Sequence, residues 1–140
     1  MALITAPTLF PSAKTTNDYT YAGYTATIVG KENNNDVLQG TEEADVIIGL
    51  SGNDQIFGNG GDDIICDGAA GNDVLIGGAG NDILQSDTGD DTLLGDTGND
   101  ILLGDTGEDN LRGGTGTDNG DGGPDFDTCT EVETKSNCED

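Results

Sequence analysis

Aspartates that recur at a fixed interval are the residues of this sequence best suited to chemistry. Neighbours in the series stand nine residues apart, with one step of ten. The series consists of Asp36, Asp45, Asp54, Asp63, Asp73, Asp82, Asp91, Asp100, Asp109, Asp118 and Asp127. Carboxylate oxygens at regular spacing are typical of a site for hard cations that is built many times over.

Glycines and aliphatic residues keep the same phase as the aspartates. Two positions after each aspartate, as far as Leu111, stands a leucine or an isoleucine, and two positions before it there is usually a glycine. A further glycine usually stands five positions before the aspartate, and we call it the leading glycine. The leading glycines are Gly40, Gly49, Gly58, Gly68, Gly77, Gly95, Gly104, Gly113 and Gly122. Because glycine permits positive φ, each unit is predicted to be a turn followed by a very short strand.

Stacking of these units would bring the carboxylates together. If two units make one coil, strands stack about 4.8 Å apart and their Leu and Ile side chains form two facing columns. The aspartates then stack too, and at about 5 Å and an effective dielectric near 20 two neighbouring carboxylates repel by roughly 3 kcal/mol. Only 4 Lys and Arg stand against 28 Asp and Glu, with no His. A divalent cation is therefore required, and oxygen ligands in glycine-rich turns favour calcium over magnesium, zinc or copper.

The segment from Gly77 to Gln85 resembles the repeats-in-toxin nonapeptide G-G-x-G-x-D-x-U-x, a calcium-binding repeat. The resemblance covers residues 31–128 in eleven copies. It implies an all-β fold, a right-handed parallel β-roll, with six turn positions and three strand positions in each repeat. It also implies that each ion lies between turns two repeats apart, on the same edge of the roll.

The resemblance implies two rows of metal ligands, and at most about nine calcium ions, which would leave a net charge near −6. One edge would hold Asp36, Asp54, Asp73, Asp91, Asp109 and Asp127, and the other Asp45, Asp63, Asp82, Asp100 and Asp118. Turn glycines expected to take part are Gly49, Gly58, Gly68, Gly77, Gly95, Gly104 and Gly113.

Several repeats depart from the pattern. Asparagines 33–35 and glutamates 42–43 replace glycines in the first two units, so the N-terminal sites are expected to be closed by side chains or to bind weakly. Ser86 replaces a leading glycine, and an extra residue near Ala69 is expected to bulge one turn without changing the strand phase. Gly120 leaves a hole in the aliphatic column, and the roll is expected to end there. The position directly after the leading one is an aspartate in three repeats, at Asp87, Asp96 and Asp105. These aspartates are either added metal ligands or solvated turn residues.

Residues 1–30 are predicted to cap the first coil, with Tyr19, Tyr21, Tyr24 and Ile28 packing over its open edge. An alternative is that this segment, or the apolar part from Ala2 to Phe10, adds as a strand to a neighbouring molecule and makes filaments or other homo-oligomers. The opening lacks a basic start and is not expected to be a signal peptide. No apolar run has the length of a spanning helix, so no membrane insertion is expected.

The three cysteines indicate an oxidising compartment. Cys129 and Cys138, nine residues apart, suit a disulfide that closes residues 129–140 as a C-terminal cap. Cys66 is left over, as a free thiol, an intermolecular bridge or a tolerated surface cysteine, the last being the preferred interpretation. The tail also resembles the closing segment of secreted bacterial calcium-binding repeat proteins.

The composition excludes several function classes. With no His, no nucleophile elbow and no phosphate-binding loop followed by Lys, the chain is not expected to be an enzyme. The charge of −24 disfavours nucleic acid and anionic membranes as partners. We therefore expect a secreted, extracellular bacterial module, structural or binding, that folds on calcium. The alternatives are a filament or matrix subunit and an ice-binding or adhesin module, the ice-binding reading resting on Thr88, Thr97, Thr106 and Thr115.

Overall fold

The computed structural model describes residues 19–139, whose regular structure consists of β-strands. A short antiparallel hairpin pairs β1 (Thr20–Tyr21) with β2 (Tyr24–Thr25). A seven-stranded sheet contains β3 (Ile28–Val29), β5 (Val46–Ile48), β7 (Ile64–Cys66), β9 (Ile83–Gln85), β11 (Ile101–Leu103), β13 (Asn119–Asp121) and β15 (Thr134–Ser136). A six-stranded sheet contains β4 (Val37–Gln39), β6 (Gln55–Gly60), β8 (Val74–Ala79), β10 (Thr92–Thr97), β12 (Asn110–Thr115) and β14 (Thr128–Thr130). Within this part of the chain, no helix is long and apolar enough to cross a bilayer.

The strands of both large sheets pair in parallel and in the register that the repeat predicts. In the seven-stranded sheet Leu84 pairs with Ile65 on one side and with Leu102 on the other. In the six-stranded sheet Ile56 pairs with Leu75, although one of the two repeats that separate them has ten residues. Successive repeats therefore alternate between the two sheets, and two repeats make one coil of a parallel β-solenoid. The predicted fold is confirmed.

The core lies between the two sheets and is one aliphatic residue deep in each strand. Alternation along a strand sends one residue of each triplet inward and its neighbours outward. The inward residues with no exposed surface are Ile47, Ile56, Ile65, Leu75, Leu84, Leu93, Leu102 and Leu111. Because so few apolar side chains are buried, this core leaves much of the stability of a small domain to other interactions.

The N-terminal hairpin packs against the outer face of the seven-stranded sheet. Tyr21 is buried there with Ile48, Leu50 and Cys66, and its hydroxyl donates a hydrogen bond to Oε1 of Gln85. The interpretation of Cys66 as a surface cysteine is wrong, since the hairpin covers it. Residues 28–29, which the sequence predicts to be part of the cap, form β3 and so begin the seven-stranded sheet. The proposed assembly strand at residues 2–10 lies outside the described residues.

The C-terminal end continues both sheets beyond Gly120. Strand β14 pairs with β12 and β15 pairs with β13, so the expectation that the roll ends at Gly120 is wrong. Val132 packs toward the space that the missing side chain of Gly120 leaves. The predicted disulfide joins Cys129 to Cys138, with the Cα atoms 5.7 Å apart, and ties residue 138 to the last strand of the six-stranded sheet.

Candidate metal centre

The repeated aspartates form two ladders, one along each edge of the roll. The backbone N–H of Asp63 donates to Oδ1 of Asp82 at 2.8 Å, and the N–H of Asp82 donates to Oδ1 of Asp100 at 2.9 Å. On the other edge the N–H of Asp73 donates to Oδ1 of Asp91 at 2.8 Å. Each ladder thus links aspartates two repeats apart, in the two sets that the resemblance implies.

The second oxygen of these carboxylates is buried and accepts no hydrogen bond from any residue in the range 19–139. The orphaned Oδ2 atoms belong to Asp54, Asp63, Asp73, Asp82, Asp91, Asp100, Asp109, Asp118 and Asp127. These side chains are at most 3% exposed. A buried charge without a partner is costly, so a row of such oxygens requires a ligand that supplies positive charge.

The leading glycines lie where oxygens from two coils converge. A Cβ built on Gly104 would lie 2.5 Å from Oδ2 of Asp109 and 2.6 Å from the carbonyl oxygen of Gly122, one coil further on. A real Cβ cannot approach so closely, and the space beside the glycine is therefore lined by oxygens. The same pairing of an aspartate Oδ2 with a carbonyl from the next coil recurs at Gly40, Gly58, Gly95, Gly113 and Gly122.

Gly77 shows part of this arrangement, since Oδ2 of Asp82 crowds its Cβ position. At Gly49 the lining differs: the nearest oxygens are Oδ1 of Asp67, at 2.5 Å, and Oδ2 of Asp54, at 2.9 Å. A carboxylate thus approaches Gly49 where a backbone carbonyl approaches Gly104. The sites on the two edges are consequently not all equivalent.

Other side chains close the ends of the ladders. At the start, Oδ2 of Asp45 accepts hydrogen bonds from the amide and the hydroxyl of Thr41, and Oδ2 of Asp36 accepts one from the amide of Lys31. At the finish, glutamates replace the next aspartate. Glu133 accepts from the N–H of Asp118, and Glu139 accepts from the N–H of Asp127, each at 2.7 Å. Oδ2 of each of these first two aspartates therefore already accepts a hydrogen bond from the chain, in both cases from a backbone amide.

Burial shapes the electrostatics of both ladders. Desolvation, followed by the charges of neighbouring aspartates, raises the pKa of Asp82 and of Asp109 to about 7. The same causes raise the pKa of Asp63 and of Asp91 to about 6. Hydrogen bonds from the ladder amides act in the opposite direction but do not cancel the desolvation. Without a bound cation, the carboxyls of Asp82 and Asp109 would be partly protonated near neutral pH.

The ten-residue repeat places an acid where a leading glycine was expected. Asp67, not Gly68, forms the same inter-coil hydrogen bonds as Gly49 and Gly104, because its N–H donates to the carbonyl of Gln85. Gly68 follows it with φ of 91°. Asp67 is fully buried, and its Oδ1 is orphaned among the described residues. The repeat pattern did not predict a role for Asp67. Because this repeat has one extra residue, counting back five positions from Asp73 gives Gly68.

The remaining candidate turn residues lie outside the ladders. Asp87, Asp96 and Asp105 all have positive φ, from 65° to 72°, as the second position of the turn requires. Asp105 accepts a hydrogen bond from Nε2 of Gln85 on the outer face. The hydroxyls of Thr88, Thr97 and Thr106 donate to backbone carbonyls one coil earlier. These threonines therefore contribute to the stacking of the turns.

The donor set fits calcium. Buried carboxylate oxygens and backbone carbonyls are hard ligands, and glycine-rich turns provide them without histidine or thiolate. A parallel β-solenoid that carries such rows of oxygens along both edges is a calcium-binding β-roll module. The family model of the RTX calcium-binding nonapeptide repeat, in four copies, matches residues 32–65, 67–102 and 94–129. The chain belongs to this family. Searches of curated proteins and of solved structures found no match.

Proposed function

We propose that this chain is a secreted, extracellular module whose roll folds when calcium binds along its two edges, with up to about nine ions. The observation that carries the proposal is the row of buried Oδ2 atoms without donors, such as those of Asp63 and Asp82. In the absence of calcium, burial of these carboxylates opposes folding, and calcium binding supplies free energy of folding.

Charge and compartment support this function. Nine divalent ions would add +18 to a chain of formal charge −24. Extracellular calcium sites commonly have a Kd of about 10⁻⁴ to 10⁻³ M, so such a module would stay unfolded where calcium is scarce and fold outside the cell. The disulfide between Cys129 and Cys138 suits the same oxidising environment.

Circular dichroism during a calcium titration of the EDTA-treated protein tests the proposal, with magnesium as the control cation. We expect a cooperative transition from coil to β-structure in calcium and none at equal magnesium. A fully folded roll in excess EDTA at pH 7.5 would contradict the proposal. So would equal transitions in the two cations, because the glycine-rich sites are proposed to select the larger ion.

A second candidate function, self-assembly into filaments, is favoured by the N-terminal end of the roll. Strands β3 and β4 are the terminal strands of the two sheets in the described part of the chain. Val37, on β4, is 64% exposed, and Leu38 beside it is only partly buried. Unpaired strand edges of this kind accept a strand from another molecule. Sedimentation in millimolar calcium would show species larger than the monomer if this edge assembles, and monomer alone would contradict assembly.

A further inference from the structure

The turn of ten residues gathers three carboxylates at one point on the edge of the roll. Carboxylate oxygens of Asp54, Asp67 and Asp73 all lie within 4.8 Å of one another, and the three side chains are at most 1% exposed. Asp54 and Asp73 are ladder residues, whereas Asp67 occupies the leading position, which Gly49 fills in the preceding coil and Ser86 in the following one. The cluster therefore adds a carboxylate to the ligands that a regular repeat supplies.

Each of the three carboxylates has one oxygen without a donor in the described chain. These atoms are Oδ2 of Asp54, Oδ1 of Asp67 and Oδ2 of Asp73. Two of them line the space beside Gly49, since a Cβ built there would lie 2.5 Å from Oδ1 of Asp67 and 2.9 Å from Oδ2 of Asp54. Orphaned oxygens of separate carboxylates that converge on one small space indicate a bound cation.

The backbone holds Asp67 in place from both sides. Its N–H donates to the carbonyl of Gln85 at 3.0 Å, and its own carbonyl accepts from the N–H of Leu50 at 2.6 Å. Because coils on either side fix this residue, the side chain has little freedom to turn toward solvent. Calcium affinity rises with the charge and the rigidity of the ligand set, and the cluster exceeds the regular sites in charge.

We propose that Asp54, Asp67 and Asp73 form a three-carboxylate calcium site that binds its ion more tightly than the regular sites and fills first. The inference rests on the proposed calcium-dependent function and assigns a ligand role to Asp67, a residue outside the repeat pattern. The first ion at this site would join the two coils that carry β6 and β8 of the six-stranded sheet. Coils on either side would then fold onto that unit.

Competition with a chromophoric calcium chelator at pH 7.5 tests the proposal on the full chain. We expect the wild type to bind one ion about tenfold more tightly than the others. Asp67→Gly and Asp67→Asn should both lose this single high-affinity site, which we call the tight class, and keep the weaker sites. Glycine occupies the equivalent position at Gly49 and Gly104, so the backbone accommodates that change, and asparagine keeps the side-chain volume. Circular dichroism in saturating calcium should show that both variants fold.

The matched control is Asp62→Asn, which removes one exposed carboxylate from the opposite edge and should retain the tight class. A tight class that survives both Asp67 substitutions, or calcium affinity that increases in them, would overturn the proposal. Increased affinity would mean that Asp67 carries a proton and competes with the ion. Failure of both variants to fold in saturating calcium would also overturn it, because Asp67 would then be structural. Absence of calcium binding in every protein, wild type included, would instead refute the proposed function.

Discussion

The backbone amide of Asp82 donates a hydrogen bond of 2.9 Å to Oδ1 of Asp100, while Oδ2 of Asp100 is buried without a donor among the described residues. The two oxygens of one carboxylate therefore have different roles. Oδ1 connects consecutive coils, and Oδ2, which we propose as a calcium ligand, lies beside the leading glycine Gly95, where the carbonyl oxygen of Gly113 also approaches. Substitutions can separate these roles.

Asp63→Asn should raise the calcium concentration at the midpoint of folding by about tenfold. Asparagine retains an oxygen that can accept the bond from the N–H of Asp45, but it removes the ligand charge. The measurement is a calcium titration followed by circular dichroism.

The control for this experiment is the neighbouring Asp62→Asn. Asp62 is exposed and accepts from the N–H of Asn81 at 2.8 Å, a bond that asparagine can also accept. The calcium concentration at the midpoint of folding of this variant should change less than about twofold, because an exposed charge contributes little to stability. Equal shifts in the two variants would indicate that net charge, and not ligation, controls folding.

Gly104→Ala should weaken calcium binding and lower thermal stability in calcium. The new Cβ would stand 2.5 Å from Oδ2 of Asp109 and would occupy the space assigned to the ion. Calorimetry in saturating calcium, together with the bound-calcium stoichiometry, measures both effects. An unchanged stoichiometry would show that the ions lie elsewhere.

Gly120→Ala provides the contrast, because the same chemical change falls in the core. Its Cβ would stand 3.2 Å from Cγ1 of Val132 and 3.6 Å from Cδ2 of Leu111, in the hole of the aliphatic column. A small shift of Val132 would accommodate it. We expect unchanged calcium binding and a stability equal to that of the wild type or up to about 1 kcal/mol higher.

The metal-free protein should be more stable at pH 5 than at pH 7.5. Folding raises the pKa of Asp82 and Asp109 to about 7 and that of Asp63 and Asp91 to about 6, above the ordinary value of 3.8. The stabilising contribution of protonation is therefore complete below about pH 4 and is lost as the pH rises through 6 and 7.

Circular dichroism in EDTA at the two pH values measures this effect as the folded fraction, which should be larger at pH 5. In saturating calcium the protein should instead be more stable at pH 7.5 than at pH 5, because protons compete with the ion for the same oxygens. A metal-free protein that is more stable at pH 7.5 would show that these carboxyls do not become protonated on folding.

The Cys66 thiol should react slowly with a thiol reagent in the calcium-loaded protein and rapidly in EDTA. Tyr21 and Ile48 cover it, and burial raises the pKa of the thiol, so both access and thiolate fraction are low. Tyr21→Ala should expose the thiol in calcium, whereas Tyr21→Phe should protect it. Fast labelling of the folded wild type would contradict packing of the hairpin against this face.

The repeat predicted the architecture because its periodicity states which residues face inward. The step from Leu84 to Leu102 is two repeats, and those residues pair in the sheet. The two sets of aspartates were implied by the resemblance to the repeats-in-toxin nonapeptide. The orientation of side chains in a strict repeat can be predicted without any information on tertiary contacts. This part of the structure could therefore be predicted from the sequence.

Features that depart from the repeat could not be predicted from the sequence. Asp67 reaches the leading position because one extra residue is absorbed within its turn, and Glu133 closes a ladder from outside the repeats. Burial of Cys66 depends on the hairpin that carries Tyr21, 45 positions earlier in the sequence. Long-range contacts and local backbone adjustments decide these features, and neither has a periodic signature.

An anomalous difference map from crystals of the calcium-saturated protein tests whether calcium binds along both ladders. We expect two rows of calcium peaks, one along each edge and about 4.8 Å apart within a row, each beside a leading glycine and an aspartate Oδ2. An additional ligand from Asp67 should appear at the peak next to Gly49. Ladders that are well ordered but hold no calcium peaks would show that these aspartates do not bind calcium.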